Sequence, residues 1–195
     1  EAWKGAAEGA KNIILATLGT GVGGGIIVDG KILYGAHGAG GEIGHANINH
    51  QETESCNCGN KGCLEQVASA TGIVRVAKKY LAASSEESSL RKIKNISAKS
   101  VLDAYKAGDK LAEKIMEKVG EDLGGALAIF SCVVDPEAIV IGGGVSRAGQ
   151  PLLDCIQKYY KKYAFNVCKD TPIVAAKLGN DAGIYGAARL VIKEM

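Results

Sequence analysis

Ala138-Ile139-Val140-Ile141 followed by Gly142-Gly143-Gly144 reads as a strand apolar on both faces that ends in a flexible glycine turn, the pattern of a strand in the middle of an open α/β sheet. Upstream, Leu111, Ile115, Val119, Leu123 and Leu127 recur at every fourth position. This predicts a long buried helix over residues 109–130, stopped by Asp135-Pro136. Downstream, residues 151–163 predict a helix, Pro172-Ile-Val-Ala175 a strand and residues 181–192 a final helix. Strand and helix alternate, so the fold class is α/β, with a central sheet flanked by helices. A loop at a strand's carboxyl end, as at residues 142–144, is where such sheets bind ligands.

The first third of the chain differs. Asn12-Ile-Ile-Leu-Ala-Thr17, Gly24-Gly-Ile-Ile-Val28 and Lys31-Ile-Leu-Tyr34 are short β-branched runs, the last two joined by Asp29-Gly30. They predict a three-stranded antiparallel meander. A glycine-rich loop runs on to Gly41, residues 64–80 predict a helix, and residues 82–97, with Ser84-Ser-Glu-Glu-Ser-Ser89, a solvated connection. Residues 1–11 have no initiator Met and an Ala/Lys/Glu content that reads as the tail of a helix, so a fragment of a longer protein is expected. No internal repeat is seen.

The 195 residues suffice for one domain. With 23% charged and 47% hydrophobic residues, disordered and collagen-like chains are excluded. The net charge of +2 is too near neutral for a protein that wraps nucleic acid. No apolar run reaches the ~18 residues of a membrane span, and no leader pattern is present, so a cytoplasmic protein is expected. Glycine stands out at 27 residues against only 3 prolines, which suggests local, functional use. The basic-aromatic cluster Tyr159-Tyr160-Lys161-Lys162-Tyr163 reads as a solvated helix face with snorkelling lysines.

Cys56-Asn-Cys58-Gly-Asn-Lys-Gly-Cys63 places three thiols within eight residues around two glycines. This suits a tetrahedral zinc site that needs one further ligand. A reducing compartment and the odd local number oppose disulfide pairing. The fourth ligand is one of the three histidines, His37, His45 or His50. Cys132, Cys155 and Cys168 read as small buried or semi-exposed hydrophobes. A second signal, Leu18-Gly19-Thr20-Gly21-Val22-Gly23-Gly24-Gly25, lies in the turn between two strands. Its backbone N–H groups and the Thr20 hydroxyl suit phosphate oxygens, in a nest without the terminal Gly-Lys-Ser/Thr of a Walker loop.

Glu42-Ile-Gly-His45 followed by Cys56-x-Cys58-x4-Cys63-Leu64-Glu65 resembles the signature of the ROK family, the repressors and sugar kinases of the actin-like ATPase (ribonuclease H-like) fold, and its bacterial glucokinases above all. The resemblance covers essentially the whole chain. It implies that residues 1–195 are the larger C-terminal domain of such a kinase, with residues 42–65 as a sugar and zinc loop within it. It implies structural zinc on His45, Cys56, Cys58 and Cys63, leaving His37 and His50 outside, and sugar hydroxyls held by Glu42, His45 and Glu65. Carboxylates and a fixed imidazole tautomer are apt partners for hydroxyls that both donate and accept. Four protein ligands leave the metal no open position, so it would stiffen the loop. The resemblance assigns Gly19, Thr20 and Gly21 to the second phosphate loop, and Gly142, Gly143, Gly144 and Val145 to the adenosine loop, where glycines let a flat adenine approach.

The activity so implied is transfer of the γ-phosphoryl group of Mg-ATP to a hexose, glucose to glucose 6-phosphate in carbohydrate metabolism, by a homodimer. The catalytic aspartate and first phosphate loop of the family have no counterpart in the sequence and are expected upstream, so the fragment alone is expected to be inactive. Gly179-Asn180-Asp181 superficially resembles the missing aspartate segment but reads as the cap of the last helix, on Asn180 or Asp181. The alternatives are the sugar-sensing domain of a ROK repressor, with a DNA-binding segment upstream, another ROK hexose or N-acetylhexosamine kinase, and a zinc-supported assembly module without a ligand. Intact glycine loops favour a kinase.

Overall fold

The computed structural model describes residues 1–194. β1 (Ile13–Leu18), β2 (Val22–Val28) and β3 (Lys31–Ile32) form the expected meander, β3 two residues shorter than expected. After it come α1 (Glu65–Ala68), α2 (Ala70–Ala83), α3 (Ala98–Lys106) and α4 (Lys110–Val134). β4 (Ala138–Gly142), α5 (Gln150–Tyr163), β5 (Ile173–Ala175) and α6 (Ala182–Glu194) complete the chain. The sheet order is β3-β2-β1-β4-β5. β1 pairs antiparallel with β2, Leu18 opposite Val22, and parallel with β4, Thr17 opposite Gly142; β5 continues parallel to β4. This is the mixed α/β sheet read from the sequence. Every residue of β4 is buried, as a central strand covered on both faces requires.

α4 supplies most of one covering layer. Leu111, Ile115, Val119, Leu123 and Leu127 are each at most 1% exposed, so the stripe that reads as helical is consumed by the chain's own core. α5 lies along it at close range. A Cβ on Gly124 would come 2.7 Å from Tyr160 N, and one on Gly120 2.4 Å from Cys155 Sγ. The helix runs past the expected end at residue 130 to Val134 and stops where Asp135 turns left-handed, φ 47°, before Pro136. The other sheet face buries Ala7, Ile13, Ala138 and Val140.

Four expectations change. Residues 1–9 form turns instead of a helix tail, because Gly5 and Gly9 break the run, Gly9 at φ 88°. The Glu1 carboxylate accepts from Ala6 N, Lys177 N and Leu178 N, which ties these turns to the β5–α6 connection. The helix expected over residues 64–80 is two helices. Between them Ser69 is extended, donates to Glu65 O and accepts from Gly72 N, a hydroxyl cap that restarts the helix. The connection 82–97 is solvated but for Leu90, fully buried in a 3-10 turn. α3 lies beyond the elements read from the sequence; Ser97 and Ser100 cap it reciprocally. Asp181 ends a 3-10 turn just before α6, and the Asn180 side chain, also read as a cap, lies outside the described residues. Among the described residues no helix is long and apolar enough to cross a membrane.

The Tyr159–Tyr163 cluster pairs with α4. Tyr159 OH donates to Glu117 and Tyr163 OH to Glu121, while Lys158 and Lys162 neutralise the same two carboxylates. The ladder closes the α4–α5 seam.

Candidate functional site

The cysteine loop folds around its glycines. Gly59 and Gly62 take φ 90° and 76°, which a side chain would oppose, and Cys56 N donates to Asn60 O to close the tight turn. Gln66, buried at the start of α1, accepts from Gly62 N and Cys63 N and donates to Glu54 O, pinning both arms of the loop. The lead into the loop is held by Arg75 on α2, which pairs with Glu52 at 2.7 Å and Glu54 at 2.8 Å, with Lys79 beside both. The Arg75 hydrogen bond holds the Glu52 carboxyl down at about 2. Gln66, Glu52 and Arg75 are absent from the sequence reading. Gln66 adjoins the motif, but nothing in the sequence pairs Arg75 with residues some twenty positions earlier.

His45 reaches the thiols from the opposite side. It ends the 3-10 turn Ile43–His45, whose Ile43 and Gly44 are buried. A Cβ on Gly24 of β2 would lie 2.2 Å from Gly41 O and 2.6 Å from Ile43 Cγ1, so the β2 glycines are what let this turn lie flat on the strand. The ligand atoms of His45, Cys56, Cys58 and Cys63 all fall within 4.8 Å of one another. Cys58 Sγ is 3.6 Å from Cys63 Sγ, and Cys56 Sγ is 3.8 Å from His45 Nδ1. Tetrahedral ligands at a Zn–S length of ~2.3 Å stand ~3.8 Å apart, so donor set and spacing fit a four-coordinate metal ion. His37 and His50 are outside this group. Burial pushes the Cys63 thiol up to about 12 and raises Cys56, whereas the Asn60 backbone N–H lowers Cys58.

Glu42 and Glu65 flank the cluster. Glu42 is exposed, its Oε2 4.0 Å from His45 Nε2. Glu65, half-buried at the first turn of α1, points Oε1 at Cys56 Sγ, 3.6 Å away, and with Oε2 accepts from Val22 N at 3.1 Å. The glycine turn after β1 lies against it. A shallow cleft of about 330 Å³ is lined by Thr17, Gly19, Gly21, Val22, Gly23, Glu65 and Gly143. Residues of both glycine loops and the Glu65 carboxylate therefore open onto one space. Thr20 is exposed beside it, its carbonyl accepting from Thr71 Oγ1. Gly143, at φ 83°, packs on the end of β1, where a Cβ would be 2.5 Å from Leu18 O; Gly144 faces open space. Gly142 is buried as the last residue of β4, and the Val145 side chain belongs to the core. Thr17 joins the lining unanticipated.

The ROK family model matches residues 1–194, and the chain belongs to the ROK family. It is 46% identical to a glucokinase of Halalkalibacterium halodurans, an alignment covering 98% of this chain and 59% of that protein. It is 33% identical to the DNA-binding transcriptional dual regulator NagC of Escherichia coli, over 100% of this chain and 47% of that one. The crystal structure of a ROK family glucokinase from Streptomyces griseus in complex with glucose and AMPPNP matches with a TM-score of 0.81 at 33% identity, covering 95% of this chain and 62% of that one. The chain thus spans about three-fifths of the length of the glucokinases it matches. Its mixed α/β sheet is that of the family's actin-like ATPase structures.

Proposed function

We propose that the chain is the larger, C-terminal domain of a hexose kinase of the glucokinase type, binding glucose and Mg-ATP at the cleft between Glu65 and the two glycine loops. One observation carries this reading: Gly19, Gly21 and Gly143 share a cleft with Glu65, so phosphate-binding backbone and a hydroxyl acceptor lie side by side as phosphoryl transfer to a sugar requires. Glu42, His45 and Glu65 hold sugar hydroxyls. Gly19, Thr20 and Gly21 face phosphate, and residues 142–145 face adenosine. Among the described residues Glu65 is the only carboxylate lining the cleft, and it already accepts from Val22 N. On this reading the proton acceptor for the sugar hydroxyl is supplied from outside residues 1–195, and the chain alone is expected not to turn over.

Zinc is the metal the three thiols and one imidazole suit. His45, Cys56, Cys58 and Cys63 would hold it, and bound there it would lock the loop carrying Glu42 and His45. The protein acts in the cytoplasm as a homodimer. The exposed Ile129 and Val133 on the last turns of α4, with the exposed Phe165 and Val167 of the 3-10 segment that contacts α4, offer the contact.

The second reading is a sugar sensor, favoured by the match to NagC. Titration of the protein with glucose, N-acetylglucosamine and Mg-AMPPNP separates the two. A kinase domain binds the nucleotide at micromolar to millimolar levels together with one of the sugars; a protein that binds the sugar but no nucleotide is a sensor.

A further inference from the structure

We infer that Glu65 is a positioning residue for the glycine loop 19–23, so that one carboxylate couples the sugar and nucleotide halves of the site; the inference rests on the kinase reading. Three contacts from the α1–α2 junction grip this loop: Glu65 Oε2 accepts from Val22 N at 3.1 Å, Ala70 N donates to Gly19 O at 2.8 Å, and Thr71 Oγ1 donates to Thr20 O at 2.8 Å. Glycine-rich backbone loses much conformational entropy when ordered, so anchors of this kind pre-form the nest that receives phosphate. The Glu65 contact differs from the other two because its acceptor is charged, and such bonds are the stronger ones.

The fit is reciprocal. A Cβ on Gly21 would lie 2.0 Å from Glu65 Oε2 and 3.1 Å from its Cδ, with no backbone atom nearby. Glycine at position 21 is thus what lets the carboxylate seat against the loop, and Ala there would push aside a flexible side chain without unfolding anything. A sugar hydroxyl on Glu65 acts on a group already tied to the phosphate loop. Linkage then requires glucose to alter nucleotide affinity and the nucleotide to alter glucose affinity by the same factor.

The test compares the wild-type protein with Glu65→Gln, Glu65→Ala and Gly21→Ala. It uses hydrogen exchange at the Val22 amide without ligand, and titrations with glucose and Mg-AMPPNP, singly and together. In the wild type, glucose should change AMPPNP affinity. Glu65→Ala should speed Val22 exchange and weaken AMPPNP about tenfold, the low end for losing a bond to a charged acceptor. Glu65→Gln keeps a carbonyl oxygen for Val22 N, so it should retain AMPPNP affinity within about threefold while losing glucose affinity. Gly21→Ala, in the phosphate loop, should weaken glucose. Wild-type Val22 exchange and AMPPNP affinity in Glu65→Ala would overturn the inference and leave the kinase reading intact. A wild-type protein that binds neither ligand would overturn the kinase reading and the coupling with it.

Discussion

Gly44→Ala tests how β2 sets the metal group. A Cβ at position 44 would stand 2.0 Å from Val22 O, 2.9 Å from Val22 C and 3.0 Å from Val22 Cβ. Most of these atoms are sheet backbone and do not yield, so the turn bearing His45 must move. Ordinary contact begins near 3.4 Å, and the turn is therefore displaced by about 1.4 Å. Metal–ligand lengths tolerate about 0.2 Å. His45 leaves the coordination shell and the site drops to three thiolates. Gly44 is not at positive φ, so Ala costs nothing in conformation, and the effect is steric: about 1–3 kcal/mol of overpacking. Zinc content after gel filtration should fall from one per chain to well below one, and the urea midpoint should fall with it. Gly144→Ala is the control. Nothing lies within 4 Å of a Cβ there, so metal and midpoint should be unchanged. A Gly44→Ala protein with one zinc and the wild-type midpoint would refute the reasoning.

Cys58→Ala should lose the metal and lower glucose affinity although Cys58 is not assigned to the sugar; equal glucose titrations for variant and wild type, with zinc gone, would separate the loop from the sugar site. Asp109 accepts from Leu111 N and Ala112 N at the start of α4 and from Ser88 Oγ, Ser89 N and Ser89 Oγ. Burial works to raise its carboxyl, but the bonds from Ser89, Ala112 and Ser88 outweigh this and hold it down at about 2. Because the folded value is depressed, this stabilisation is present above the unfolded value near 4 and is lost as pH falls toward 2; it amounts to about 2 kcal/mol at pH 7, less some screening. Urea melts of wild type against Asp109→Asn should show that difference at pH 7 and about half of it at pH 3; a difference independent of pH would count against the assignment. Light scattering of the protein at micromolar concentration should give a discrete dimer, and Val133→Lys should convert it to monomer. A ladder of larger species would instead implicate the apolar face of α6, where Ile184, Val191 and Ile192 are exposed.

The fold was legible wherever a period or a stop signal was local. β4 and the α4 stripe are unbroken apolar patterns, and β1 to β3 carry their own turn residues, so the α/β class follows once strand and helix alternate, whereas the strand order comes from the structure. What failed failed for tertiary reasons. The break at Ser69 leaves the apolar pattern of α1 and α2 intact, and shows only as a buried hydroxyl bonded to Glu65 O and Gly72 N. Residues 1–9 have helix-forming composition, but Gly5, Gly9 and the distant anchors at Lys177 and Leu178 decide otherwise. How closely α5 approaches α4 is likewise hidden in the sequence, because it depends on Gly120 and Gly124 having no side chain.

At the candidate site, residue types carry chemistry that a sequence displays, while the supports are spatial. Three cysteines and a histidine suit a metal by their identity, and the structure gathers those four while leaving His37 and His50 apart. Gln66, Arg75 and Glu52 carry no such mark, since an amide or an ion pair becomes a support only when the fold sets it against a loop. The glycines fall between. Their abundance is visible in composition, yet the role of each depends on what stands opposite: Gly24 against the 41–43 turn, Gly44 against Val22, Gly21 against Glu65. These three close approaches join β2, the His45 turn and α1 into one unit. A methyl group at any of the three positions should therefore be felt at the sugar, the metal or the nucleotide according to the neighbour it strikes, and replacing the glycines one at a time would map which partner each admits.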